Sequence, residues 1–186
     1  MKLSDAPSEL TEAKCKIVYN IRDPKDVAVS LYNAYLEGQH TCYTGSFEDF
    51  LPLFLEGKVD CNGLFEHWRD ADVFFKAHPD IPVYIQVYEE ALKDPFGAVQ
   101  KLSDFLELER NDDLCRDIAE KCHFSKMKVD KDKFSMKFGS KDIHYRKGVS
   151  GDYRNYFNDR MLDDYYNVYK ERLSGTRFYL QYLYNS

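Results

Sequence analysis

The sequence predicts an α/β fold built on a parallel sheet with few strands, and three observations carry this. The apolar run Ile17-Val18-Tyr19-Asn20-Ile21 passes directly into Asp23-Pro24, a cap followed by a proline suited to the first helical position. A second run, Ile81 to Tyr88, leads to Asp94-Pro95, the same device again. Between the two runs lie amphipathic stretches of helical period, so the strands alternate with helices. Two strands make an incomplete parallel sheet, because such sheets normally carry several strands with helices on both faces. The pattern reads as the later part of a larger α/β domain, and residues 1–186 read as one domain.

Each element has its own signals. Residues 1–14 are a polar lead-in with a short helical turn expected at Ser8 to Ala13. Ile17 to Ile21 is a buried-type strand. A helix over 24–37 follows, with Val27, Leu31, Ala34 and Tyr35 facing the core, Asp26, Ser30, Asn33 and Glu37 on the other side, and Gly38 as the stop. Ser46 caps a helix carrying Phe50, Leu51, Phe54 and Leu55, closed by Gly57. Asn62 or Gly63 opens another, striped by Leu64, Phe65, Trp68, Ala71 and Phe75 and ended by His78-Pro79. After Asp94-Pro95, a helix places Val99, Leu102, Phe105 and Leu106 on one side. A shorter helix carries Leu114, Ile118 and Cys122. Residues 126–147 are rich in lysine and show little periodicity, which reads as a long irregular segment. A last helix runs from about Asp159 to Leu173, with Tyr165, Val168 and Tyr169 packed. The aromatic tail Phe178 to Tyr184 docks on the body.

Composition bounds the function. The chain of 186 residues is 44% hydrophobic and 31% charged, which is globular rather than disordered. A formal net charge of −6 argues against non-specific nucleic-acid binding while leaving room for a local basic site. The cysteines, Cys15, Cys42, Cys61, Cys115 and Cys122, are odd in number and irregularly spaced, which favours free thiols in a reducing compartment. No Cys/His cluster with zinc spacing occurs, so no metal is expected. No run is long enough to span a membrane and no signal-peptide core is visible, so the cytoplasm is the expected location and no membrane partner is expected.

The chemistry concentrates in Arg22-Asp-Pro-Lys-Asp-Val-Ala-Val-Ser30. A strand ends in an arginine, a helix starts at once, and a serine lies one to two turns inside it. This puts a fork of donors and a hydroxyl at the carboxyl end of a strand beside a positive helix N-terminus, a geometry suited to a phosphate. An ordinary βα unit with an ion-paired arginine would look the same locally. Arg146-Lys147-Gly148 supplies a second set of donors with a glycine that lets backbone approach an anion. Alone, that pair would read as solvated charge.

Taken together these segments resemble the cytosolic sulfotransferases. Arg22 to Ser30 resembles that family's 3′-phosphate-binding segment. Arg146-Lys147-Gly148-Val-Ser-Gly151-Asp152-Tyr153 resembles its R-K-G-x-x-G-D-W segment. Val83 to Glu90 resembles its strand ending in tyrosine and acidic residues, and Phe124-Ser-Lys-Met127 its F-K-x-M element. The four stand in the family's order across nearly the whole chain. The resemblance implies a P-loop-like three-layer fold and a donor, 3′-phosphoadenosine-5′-phosphosulfate, whose sulfuryl group passes to a hydroxyl or amine of a small molecule. It implies that Arg22, Ser30, Arg146, Lys147 and Gly148 hold the 3′-phosphate, that Tyr88 contacts the adenine, and that Phe124 and Met127 lie near the adenosine. Cys122 and His123 stand where the family has a threonine-serine pair.

Two family segments have no counterpart here: the Pro-Lys-Ser-Gly-Thr-Thr loop for the 5′-phosphosulfate, and the catalytic histidine. His40, His67, His78, His123 and His144 all lack the matching context, so no catalytic residue is assigned. The expectation is a fragment with little activity alone, since the missing base by itself is worth about 10²–10⁴ in rate. The alternative is a non-catalytic truncated relative acting as a nucleotide-binding or interaction module. A P-loop kinase is disfavoured by the missing G-x-x-x-x-G-K-[ST]. The family's dimer stretch has a degraded equivalent in residues 154–163, so a homodimer is possible with its usual motif altered.

Overall fold

The computed structural model describes residues 2–36, 43–59, 62–130, 137–138, 141–142 and 146–182. After a 3-10 turn at Leu3–Asp5 and a short helix α1 (Ser8–Glu12), strand β1 (Ile17–Ile21) leads into helix α2 (Pro24–Leu36). Helices α3 (Phe47–Leu55) and α4 (Leu64–Ala77) precede strand β2 (Val83–Val87). Helices α5 (Tyr88–Lys93), α6 (Pro95–Phe105), α7 (Asp112–Lys121) and α8 (Phe124–Asp130) follow. The two-residue strands β3 (Lys137–Phe138) and β4 (Lys141–Asp142) pair antiparallel, and α9 (Asp159–Leu173) closes the body.

β1 and β2 are parallel, in a register that runs from Ile17↔Val83 to Ile21↔Val87. Both strands therefore end at the same edge, and the residues that follow, Arg22 and Tyr88, start side by side. Strand periodicity decides which side chains go inward: Tyr19 and Ile21 are buried while Val18 and Asn20 point outward.

The core on the buried face is mostly aromatic. α4 presents Phe65, Trp68, Ala71 and Phe75, and Tyr19 meets Phe75 edge-on at 5.5 Å between centroids. Such pairs add about 0.5–1.5 kcal/mol beyond their buried area. Tyr165, Tyr169 and Leu173 of α9 are fully buried, and Trp68 stacks on Tyr182 at 5.9 Å. The tail docks as expected: Phe178 and Tyr182 are buried, and Tyr169 Oη lies 2.9 Å from the Tyr179 carbonyl.

The helix starts follow the sequence signals. Ser46 and Asp49 form a reciprocal capping box, and Asp94 accepts from the Gly97 amide at 2.9 Å. Asn111 and Asn158 cap α7 and α9 in the same way.

Several expectations are corrected. The second strand is shorter than Ile81 to Tyr88: Ile81 is a buried loop residue and Tyr88 opens α5. The segment 126–147 is not irregular at its start, because α8 continues to Asp130. On α7 the buried residues are Cys115 and Ala119, while Leu114 and Ile118 are exposed. Asp26 does not face solvent; it is 1% exposed. α2 is covered on both sides, by the core and by the turn near residue 152, and so lacks a simple polar face. Gly38, Glu37, His40, Cys42, Cys61, His144 and Tyr184 lie outside the described residues, as do most of the basic positions between Asp130 and Arg146.

Candidate functional site

A cavity of about 590 Å³ opens at the carboxyl ends of the two strands. That is where parallel α/β sheets commonly bind ligands, and the volume suits a small molecule. Arg22, Ser30, Tyr88, Cys122, Phe124, Met127, Arg146, Lys147 and Gly148 all line it. The structure thus brings together every site residue expected from the sequence, from four different stretches of chain.

Arg22 leaves β1 with its guanidinium 4.6 Å from the centre of the Tyr88 ring. The adjacent strand ends cause this contact, and the ring face favours the cation. Nη2 donates to the Val149 carbonyl at 3.3 Å. Nε is buried and, among the described residues, has no hydrogen-bond partner. Buried donors are nearly always satisfied, so an acceptor arriving in the cavity would complete this group. Ser30, exposed on the second turn of α2, adds a hydroxyl to the same wall.

The first turn of α2 is unusually charged for its burial. Asp23 Oδ1 accepts from the Lys25 amide at 2.9 Å, and Oδ2 lies 3.2 Å from Lys25 Nζ. Burial pushes the Asp23 carboxyl up, against the pull of Lys25. Lys25 is fully buried, and its ammonium also sits 4.8 Å from the Tyr153 ring centre and 5.0 Å from that of Tyr165. The Asp23 amide donates to Glu89 Oε1 at 2.9 Å, and Tyr182 Oη donates to Glu89 Oε2 at 2.8 Å. Burial first, and the Glu89 charge second, raise the Tyr182 hydroxyl far above its ordinary pKa, so it stays a donor.

Across the cavity, Asp152 organises the second cationic segment. It accepts from Arg146 Nη2 at 2.6 Å, Lys147 Nζ at 2.7 Å and Asn155 Nδ2 at 2.9 Å. Burial opposes its charge, but these bonds prevail and hold its pKa at about 2. Gly148 has φ +65°, and a Cβ there would collide with the Phe124 ring. Only glycine lets the loop lie against that ring in this conformation.

The remaining wall is apolar. Leu92, Pro95, Val99, Leu102 and Ile118 from α5, α6 and α7 line it, with Gln86 at the end of β2. Sequence reasoning missed these residues. The available signal was an apolar Leu92 and Ile118 among charged sequence neighbours, which only the fold turns into a cavity lining. His123 also lines the cavity, with its Nδ1 2.9 Å from Ser125 Oγ. A cationic rim beside an apolar, aromatic slot can hold a molecule with a phosphorylated end and a flat ring. Among the described residues, no group of three or more His, Cys, Asp or Glu side chains converges as a metal site would, and no helix is long and apolar enough to cross a membrane.

The sequence profile of the sulfotransferase domain matches residues 1–177. Sulfotransferase 1B1 of Canis lupus familiaris is 31% identical over 179 residues, an alignment covering 91% of this chain and 58% of that protein. Flavonol 3-sulfotransferase of Flaveria bidentis is 29% identical over 191 residues, covering 94% of this chain and 60% of that one. Among solved structures, mouse sulfotransferase SULT7A1 complexed with PAP superposes with a TM-score of 0.83 at 27% identity, covering 98% of this chain and 66% of that one. Retinol dehydratase in complex with androsterone and PAP gives 0.79, also at 27% identity, covering 95% and 52% respectively. The chain spans about three fifths of the length of the curated relatives it matches.

Proposed function

This chain belongs to the sulfotransferase domain family, with that family's α/β fold, and from that premise we propose that its cavity takes the adenosine and 3′-phosphate end of 3′-phosphoadenosine-5′-phosphosulfate. In the complete reaction the donor's sulfuryl group passes to a hydroxyl or amine of a small molecule. The observation that carries the reading is the convergence of Arg22 and Ser30 with Arg146, Lys147 and Gly148 on one cavity, where Arg22 reaches the Val149 carbonyl.

The residues divide the work. Arg22 offers Nε and its remaining N–H donors to phosphate oxygens, and Ser30 adds a hydroxyl. Arg146 and Lys147 bring positive charge, and Gly148 lets backbone come close. Tyr88 and Phe124 flank the space for the base, with Cys122 and Met127 filling beside it. Sulfuryl transfer depends on placing the donor and stabilising charge at the transferring group. These residues serve the placement.

A second reading is nucleotide binding without transfer. It is supported by His123, the one histidine lining the cavity among the described residues, whose Nδ1 is engaged by Ser125 Oγ at 2.9 Å. Transfer of sulfate to a phenol by the chain alone would set it aside.

Calorimetry with adenosine 3′,5′-bisphosphate (PAP) tests the nucleotide site. Saturable binding at one site is expected, with a matching rise in melting temperature. Folded protein that shows neither would end the proposal.

A further inference from the structure

We propose that Asp26 is a positioning residue that sets the Arg146–Gly148 loop in register with Arg22 and Ser30, and so sets the preference for a 3′-phosphorylated nucleotide. The inference rests on the nucleotide reading above. It starts from a mismatch between residue type and location. Asp26 stands in the first turn of α2, one turn before Ser30, yet it is 1% exposed. A buried carboxylate is costly unless both oxygens are satisfied.

Both are. Oδ2 accepts from the Gly151 amide at 2.6 Å, and Oδ1 accepts from the Tyr153 amide at 2.9 Å. These amides belong to one turn, 125 and 127 residues away along the chain. Gly151 holds φ +84°, a left-handed conformation that helps aim the two amides at one acceptor group. Between them sits Asp152, whose carboxylate holds Arg146 and Lys147. The buried Lys25 ammonium lies against the Tyr153 ring, so two adjacent residues of α2 grip the same turn.

The result is two aspartates in series. Asp26 fixes the turn, and Asp152 on that turn fixes the cations. Asp26 itself is not among the residues lining the cavity, so its influence on a ligand passes through the loop. An asparagine has the same shape but presents an NH₂ where one of the two amides needs an acceptor. Donor would then face donor, and the loop would move away from α2.

The test compares affinities for adenosine 3′,5′-bisphosphate and for 5′-AMP by calorimetry on the full chain. Their ratio reads the 3′-phosphate cradle alone. Asp26→Asn is expected to lower that ratio about tenfold while binding of 5′-AMP stays close to that of the unaltered chain. Asp72→Asn is the structural control, because Asp72 is an equally buried carboxylate that accepts from the Arg177 amide at 3.1 Å but lies off the cavity. It should lower the melting temperature and leave the ratio unchanged. If Asp26→Asn does not fold, Asp26→Glu, which keeps the charge and shifts the carboxylate by one methylene, should show the same loss. A retained ratio in the folded Asp26 variant, or an equal loss in Asp72→Asn, overturns the inference while leaving the nucleotide reading standing. An unaltered chain that binds neither nucleotide overturns both.

Discussion

Arg22 leaves the end of a strand and enters a capped helix, whereas Arg146 and Lys147 sit on a loop shaped by glycines with positive φ. Among the described residues no carboxylate pairs with Arg22; its guanidinium rests on the Tyr88 ring and keeps a buried Nε without a partner. Arg146 and Lys147 are each paired with Asp152. One arm therefore presents uncompensated charge on a rigid element, and the other presents charge already half-neutralised on a loop. The contrast teaches that equal formal charge does not mean equal pull on an anion. A pre-oriented cation without a counter-ion gives up less when a phosphate arrives.

The sharpest way to break this comparison is to remove each arm separately. Arg22→Ala is expected to weaken PAP binding about a hundredfold, the scale of one bidentate charge-assisted contact. Arg146→Ala should cost only about tenfold, because its charge is already shared with Asp152 and Lys147 remains. Calorimetry on both variants checks this, and equal losses would show that the two arms act alike. Next in size is Gly148→Ala. The added Cβ meets the Phe124 ring in a backbone region unfavourable to side chains, a strain of about 1–3 kcal/mol. PAP affinity should fall by about tenfold with far-ultraviolet dichroism unchanged. Unaltered affinity would mean that the loop's path is not set there.

The smallest effect concerns pH. The Asp152 carboxyl is held at about 2 in the folded chain, below the ordinary value of about 3.9. A depressed carboxyl adds stability that is complete above the unfolded value and is lost as pH falls through the folded one. Melting temperatures of the parent and of Asp152→Asn should thus differ above about pH 4 and converge towards pH 2. Curves that run parallel across that window would remove Asp152 as the group that fastens the loop.

Much of the rigid arm was legible in the sequence, because its signals are local. The apolar run, Asp23-Pro24 and the spacing to Ser30 specify β1 and α2 within about twenty residues of chain. The loop arm carries no such periodicity. It was legible only as a motif resemblance, and its place in space follows from Asp26, whose side chain the helical pattern assigned to solvent. Helical periodicity counts apolar neighbours and cannot see a polar partner that arrives from more than a hundred residues away. The same blindness applies to Leu92 and Ile118: helical spacing marks Ile118 as apolar, but only the packing of α5, α6 and α7 makes the two residues a cavity wall. The sequence pattern places Tyr88 at a strand end, whereas it begins a helix; the register of β1 with β2, which no single segment encodes, decides that it lies beneath Arg22.

The bonds from the Asp23 amide and from Tyr182 to the two oxygens of Glu89 have a consequence for the order of folding. They tie together the early, middle and late parts of the polypeptide, and contacts between such distant partners close slowly because loop entropy must be overcome first. On the ribosome, β1 and its arginine emerge long before Tyr182 does. Glu89 therefore receives its second donor only after the aromatic tail has been synthesised and docked.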